Sequence, residues 1–166
     1  MNKYKILSIT LSLAIVITLF LAFHFYQEKK ELEIAQGAEY RSAFMTAHFQ
    51  LESLLPEDAE DIQQHREDDS VLFVFGRMNQ LTSTMMTNWE GSMLARQIKV
   101  LVRMYRSGEN NHEEIIKKHN YIVTTLNTVI EDLGEDPVTW FEELTTENSD
   151  TNNFIWDEFK KHEDSQ

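Results

Sequence analysis

Residues 6–27 read ILSITLSLAIVITLFLAFHFYQ, and none of these 22 side chains has a formal charge at neutral pH. An α-helix of about 20 residues, rising 1.5 Å per residue, crosses a hydrocarbon core about 30 Å thick. The run is apolar on every side of such a helix, whereas a helix on the surface of a soluble protein has only one apolar face. The sequence therefore predicts a transmembrane helix over residues 6–27 that contacts the lipid bilayer.

A cleaved signal peptide is the alternative interpretation of this segment. Its apolar region is usually only about 7–15 residues long and ends near a small-x-small cleavage pattern. No such pattern lies just after the run, and Ala35-Gln36-Gly37 comes only after five charged residues. We therefore expect an uncleaved signal anchor.

The charges that flank this segment favour neither orientation, because two lysines precede it and two follow it. A short tail such as residues 1–5 usually stays in the cytoplasm. We therefore expect a single-pass membrane protein whose domain of residues 28–166 is extracytoplasmic.

The domain after the apolar segment is strongly acidic. Residues 31–166 contain 11 basic and 27 acidic side chains, within a chain of net charge −13. Such a balance argues against a nucleic-acid partner, because a duplex binder needs a basic footprint for the phosphates. The chain also has no cysteine, which excludes a disulfide scaffold, thiol catalysis and thiolate zinc sites.

The spacing of apolar residues in this domain predicts helices. Three-four spacing recurs, strand-like alternation is scarce, and the whole chain has only two prolines and five glycines. One apolar seam continues from the membrane segment: Tyr40, Phe44, Ala47, Leu51 and Leu54. We predict an all-α protein in which the N-terminal transmembrane helix is followed by an antiparallel bundle of three to four helices.

Local signals suggest where the helices of the bundle begin and end. Pro56, Gly108 and Gly134 are expected to stop helices, and Asp136 followed by Pro137 is expected to start one. A long run from residue 69 to 107 is expected to kink or break at its second glycine, Gly91. Residues 149–153 are expected to form a loop.

The histidines show no spacing typical of a metal site. His112 and His119 share a helix face but lie about 10 Å apart along its axis, too far to bind one zinc ion. His119 falls in an apolar seam, where a hydrogen-bonded core histidine is expected. Glycine-rich phosphate loops and the Gly-x-Ser-x-Gly motif are also absent from the sequence. The sequence thus predicts no enzyme, no cofactor and no metal.

One group of charged residues stands out from the acidic background. Positions 96, 99, 103 and 106 step by 3, 4 and 3, which aligns their side chains along one helix face. We call these residues the basic stripe: Arg96, Lys99, Arg103 and Arg106. The simpler interpretation pairs the stripe internally with the acidic blocks 57–69 and 131–166. The alternative is a docking surface for an anionic partner, such as lipid headgroups, a wall polymer or an acidic protein.

Five methionines lie within residues 78–104, close to Trp89. A methionine stripe of this kind is usually core, although methionine-rich surfaces also suit adaptable binding. The leading hypothesis from the sequence is a membrane-anchored protein that binds or regulates another protein at the membrane surface. The alternative is a ligand-sensing bundle with a small-molecule pocket lined by Met86, Trp89 and Tyr105.

Overall fold

The computed structural model describes residues 3–54, 69–85, 89–107 and 112–163. Every regular element in these ranges is an α-helix, so the all-α prediction is confirmed. The helices are α1 Lys3–Glu52, α2 Asp69–Thr84, α3 Trp89–Ser107, α4 His112–Leu133, α5 Pro137–Thr145 and α6 Asp150–Glu163. Five helices thus follow α1 in the described ranges, where the sequence predicted three to four.

Helix α1 is continuous and contains an exposed apolar stretch followed by a face that is buried in the core. Eleven large apolar side chains between Leu11 and Tyr26 are each 47–66% exposed. Further along the same helix the predicted seam is confirmed, because Phe44, Ala47 and Leu51 are buried in the core. Helix α1 is long and apolar enough near the N-terminus to cross a membrane, by length and composition, as a single-pass anchor or a signal sequence would be.

Two contacts far apart on α1 show how α4 lies beside it. His119, near the start of α4, has its Nε2 atom 2.8 Å from the backbone oxygen of Leu51. The chain just after α4 meets α1 some 14 residues earlier, where Gly37 lies against the backbone oxygen of Pro137. The two helices therefore run antiparallel.

Helix α6 returns along α4 in the opposite direction. Its last turn stacks His162 on Tyr121, with the ring centroids 4.4 Å apart. Its first turns, through Phe154, share the lining of a cavity with Val129 and Leu133 near the other end of α4. Helices α1, α4 and α6 thus alternate in direction.

The core draws side chains from all six helices. One buried residue from each, in chain order, is Phe44, Phe75, Leu101, Ile122, Trp140 and Ile155. The Trp140 ring packs edge-on against Phe44 at 5.4 Å, and its Nε1 donates to the backbone oxygen of Gly134 at 2.9 Å. This tryptophan therefore joins α5 both to α1 and to the turn after α4.

The predicted boundaries around α5 are confirmed. Helix α4 ends at Leu133, and Gly134 has a φ of 61°, in the left-handed region that suits glycine at a helix end. The Asp136 carboxylate accepts the backbone N–H of Val138 at 3.2 Å, which caps α5. The predicted stops at Pro56 and Gly108 lie outside the described residues.

Two other predicted boundaries were wrong. The run 69–107 is divided into two helices, but not at Gly91. Helix α2 ends at Thr84, within a run of serine and threonine that favours helices weakly, and Gly91 lies inside α3. The expected loop over 149–153 is already helical from Asp150, because the Ser149 hydroxyl accepts the backbone N–H of Asn152 at 3.1 Å and caps α6.

Candidate anion-binding groove

The basic stripe lies on α3, whose opposite face packs in the core through Leu94, Ile98 and Leu101. Arg96, Arg103 and Arg106 are exposed, and Lys99 is half-buried. The stripe therefore occupies the face of α3 away from the core.

Three of the four stripe residues line one groove. Lys99, Arg103 and Arg106 surround a cavity of about 450 Å³, and Arg96 is not part of its lining. The remaining lining residues are Asn79 from α2 and Val102 and Ser107 from α3. The groove is therefore formed where α2 packs beside α3, and we call it the basic groove.

Among the described residues, the lining of the basic groove contains three cationic side chains and no carboxylate. Within the described ranges, no salt bridge joins Lys99 or Arg103 to an acidic side chain, including those of the block 131–163. The other acidic block falls almost wholly outside the described residues, so internal pairing with it stays a prediction. The described part of the chain presents a positively charged concave surface.

The cationic side chains of this groove suit the binding of an oxyanion. Lysine and arginine offer several N–H donors to an oxyanion, and the guanidinium group binds two oxygens at once. Asn79 adds an amide that donates as well as accepts. In the part of the lining that the structure describes, there is no histidine, cysteine or carboxylate to act as a base or as an activated nucleophile.

Sequence reasoning did not identify Asn79 as a member of this site. It lies 20 residues before Lys99 and on a different helix, and no motif or spacing links it to the stripe. Only the packing of α2 against α3 brings its side chain to the groove.

The predicted small-molecule pocket falls mostly outside the described part of the structure. Met86 and the side chain of Trp89 are not described, whereas Tyr105 is fully buried. The Tyr105 ring stacks on Phe75 at 6.3 Å and meets the ring of His119 edge-on at 6.5 Å. The methionines described around it at positions 78, 85, 93 and 104 are buried in the core. Pocket formation stays a prediction.

His119 is the hydrogen-bonded core histidine that the sequence predicts, through its contact with the Leu51 oxygen. Its Nδ1 atom and the Tyr105 hydroxyl are buried without a hydrogen-bond partner among the described residues. Burial also raises the pKa of Tyr105 above its ordinary range, which keeps the hydroxyl protonated.

A second polar cluster joins α3, α4 and α6. Lys118 is buried, and its Nζ donates to the side-chain oxygen of Gln97 on α3 at 2.6 Å. Burial lowers the pKa of Lys118, against the opposing influence of Glu163 and Glu114. Burial also lowers the pKa of His162, and the nearby Lys118 charge adds to this effect. Lys118 thus links α4 to α3 through a buried hydrogen bond, although its sequence position suggests an exposed side chain.

An acidic cavity of about 430 Å³ lies at the opposite end of α4, where α4, α5 and α6 meet. Its lining includes Asp132, Glu143 and Asp150. The Glu143 carboxylate accepts the backbone N–H of Thr151 at 3.1 Å, so it supports the start of α6. Over the described ranges, no group of three or more histidine and carboxylate side chains is placed to hold a metal ion.

Comparison of the chain with protein-family models, with curated proteins and with solved structures finds no match.

Proposed function

We propose that the protein is a single-pass membrane protein whose helical domain binds or regulates another protein at the membrane surface. The observation that supports this most directly is the continuity of α1. One helix contains both an exposed apolar stretch and a face buried in the domain core. A bilayer removes that apolar stretch from water, and the unbroken helix then holds the domain at the membrane surface.

The local geometry of the apolar stretch agrees with insertion in lipid. The hydroxyl of Thr18 donates to the backbone oxygen of Ala14 at 2.9 Å, which satisfies a polar group that lipid would leave without a partner. Charged residues begin directly after Gln27, where a headgroup region would start. We propose a cytoplasmic tail of residues 1–5 and an extracytoplasmic domain of residues 28–166.

The surface of the domain offers a feature that suits a protein partner. It is a small number of large exposed aromatic side chains outside the apolar stretch, of which Phe49 on α1 and Phe73 on α2 are 66% and 63% exposed. Aromatic side chains are enriched at protein interfaces because they bury a large area with few rotatable bonds.

Anchoring is tested by extracting membranes at alkaline pH from cells that express the full chain. We expect the unmodified protein to stay in the membrane pellet. Val16→Lys with Ile17→Lys should release it, because each charge at the centre of a membrane helix costs about 2.5–3.5 kcal/mol. Leu32→Lys with Ile34→Lys is the matched control, since these side chains are also exposed but follow the apolar run. Release of the unmodified chain would contradict anchoring.

The partner is tested by chemical crosslinking in intact membranes, followed by purification in mild detergent. We expect a specific crosslinked protein that is lost when Phe49 and Phe73 are changed to serine. Leu72→Ser is the control, since it alters one exposed apolar residue next to Phe73. Recovery of the uncrosslinked monomer alone would count against the interaction role.

A further inference from the structure

The basic groove lies at the end of the domain where α1 ends. Tyr105, between two groove residues on α3, meets the ring of His119 at 6.5 Å. His119 in turn contacts the backbone oxygen of Leu51, one residue before the end of α1. Arg103 and Arg106 therefore lie on the part of α3 that is level with the C-terminal end of α1.

That end of α1 is far from the apolar stretch. Leu51 follows Tyr26 by 25 residues of continuous helix, which corresponds to about 38 Å along the axis. Electrostatic interactions between exposed charges are screened over about 8–10 Å in physiological salt. The groove is therefore too distant to bind headgroups of the bilayer that would hold α1.

The shape of the basic groove limits the kind of anion it suits. Among the described residues, Lys99 and Arg103 line a groove of about 450 Å³, and neither has a carboxylate partner there. This volume is the size of a small-ligand pocket rather than of a flat protein interface. A single carboxylate brings one negative charge, whereas a phosphate monoester or a diphosphate concentrates two or more in a comparable volume. Arginine and lysine together are the usual partners of such groups.

We propose that the basic groove binds a compact phosphorylated ligand with two or more negative charges, which approaches from the side of the domain away from the bilayer. The location relative to the bilayer rests on the proposed anchoring function. The chemistry of the ligand rests only on Lys99, Arg103 and the shape of the groove.

The test is isothermal titration of inorganic pyrophosphate into the full chain, reconstituted in phosphatidylcholine nanodiscs. We expect saturable binding at a stoichiometry of one. Lys99→Gln with Arg103→Gln should weaken the affinity at least tenfold. Arg77→Gln with Lys160→Gln is the matched control, because it removes the same charge from exposed side chains outside the groove, and it should change the affinity less than twofold.

Three results would overturn the proposal. The first is the absence of saturable pyrophosphate binding, or an equal loss of affinity in the two double variants. Equal losses would indicate diffuse electrostatic attraction. The second is hexaglutamate binding as tightly as pyrophosphate, which would indicate an acidic protein partner. The third is loss of pyrophosphate binding in nanodiscs that contain phosphatidylglycerol, which would show that lipid headgroups of the same bilayer occupy the groove.

The anchoring experiment separates this proposal from the proposed function. If the chain washes off membranes but binds pyrophosphate through Lys99 and Arg103, the anchoring proposal is contradicted and the ligand-binding proposal is supported. If the chain stays in membranes but fails to bind pyrophosphate, only the ligand-binding proposal is contradicted.

Discussion

Among single residues, His162 is placed so that its protonation affects folding. Its ring is buried and stacks on Tyr121 within 6° of parallel. Burial lowers its pKa below the ordinary value of 6.5, Lys118 and Lys117 lower it further, and Glu163 opposes them. The folded protein therefore favours the neutral imidazole.

This shift predicts how stability depends on pH. Because the unfolded chain binds a proton at His162 more readily than the folded chain, stability is fully present above about pH 6.5 and is lost as the pH falls through the folded pKa. We expect the melting temperature of the full chain in detergent to fall between pH 7.5 and pH 5. His162→Gln should be less stable at pH 7.5 but should show a smaller fall.

Tyr121→Phe is the control for this experiment, since it retains an aromatic ring for stacking and leaves His162 able to titrate. It should show a fall in melting temperature similar to that of the unmodified chain. Equal falls in the unmodified chain and in His162→Gln would contradict the assigned role of this histidine.

At the scale of helices, the approach of α1 to α5 depends on one glycine. A Cβ atom at Gly37 would lie 1.8 Å from the backbone oxygen of Pro137 and 2.7 Å from its carbonyl carbon. Both atoms belong to the backbone of Pro137, the first residue of α5, so no side-chain rotation relieves the clash. Only glycine allows the two helices to pack this closely.

We therefore expect Gly37→Ala to lower the free energy of unfolding by about 1–3 kcal/mol, the usual range for overpacking a core contact. Gly76→Ala is the matched control, because a Cβ there meets no atom within 4 Å. Alanine is the better helix former, so that variant should gain up to about 1 kcal/mol. Chemical denaturation in detergent measures both changes, and an undisturbed stability in Gly37→Ala would mean that α1 and α5 are not in close contact.

At the scale of the whole molecule, the proposed orientation in the membrane can be tested directly by labelling an engineered cysteine. The chain has no cysteine, so a single engineered thiol reports on one position. Ser149 is buried and caps α6, whereas Glu147, two residues earlier, is exposed. Glu147→Cys is therefore the better labelling site.

We expect a membrane-impermeant maleimide to label Glu147→Cys in intact cells, or in spheroplasts where an outer membrane is present. Asn2→Cys, on the other side of the apolar segment, should be labelled only after lysis. The reverse pattern would invert the proposed orientation, and labelling of both positions in intact cells would contradict a membrane-spanning segment between them.

The sequence by itself determined the features that depend on neighbouring residues along one helix. The apolar stretch of α1, the seam through Phe44 and Leu51, the alignment of the basic stripe along one helix face and the Asp136 cap all follow from spacing within a few turns. Periodicity reports which face of a helix is apolar, and a capping group lies within three residues of the N–H that it accepts. These features were therefore predictable.

Only the tertiary structure decided which helices meet and which residues they bring together. Gly37 and Pro137 are 100 residues apart, and Asn79 joins the basic groove from another helix. Lys118 has an i,i+4 acidic neighbour typical of a solvent-exposed face, yet it is buried against Gln97. Such contacts depend on the angle and depth at which whole helices pack, and these are set by the shapes of both surfaces rather than by the pattern on either one.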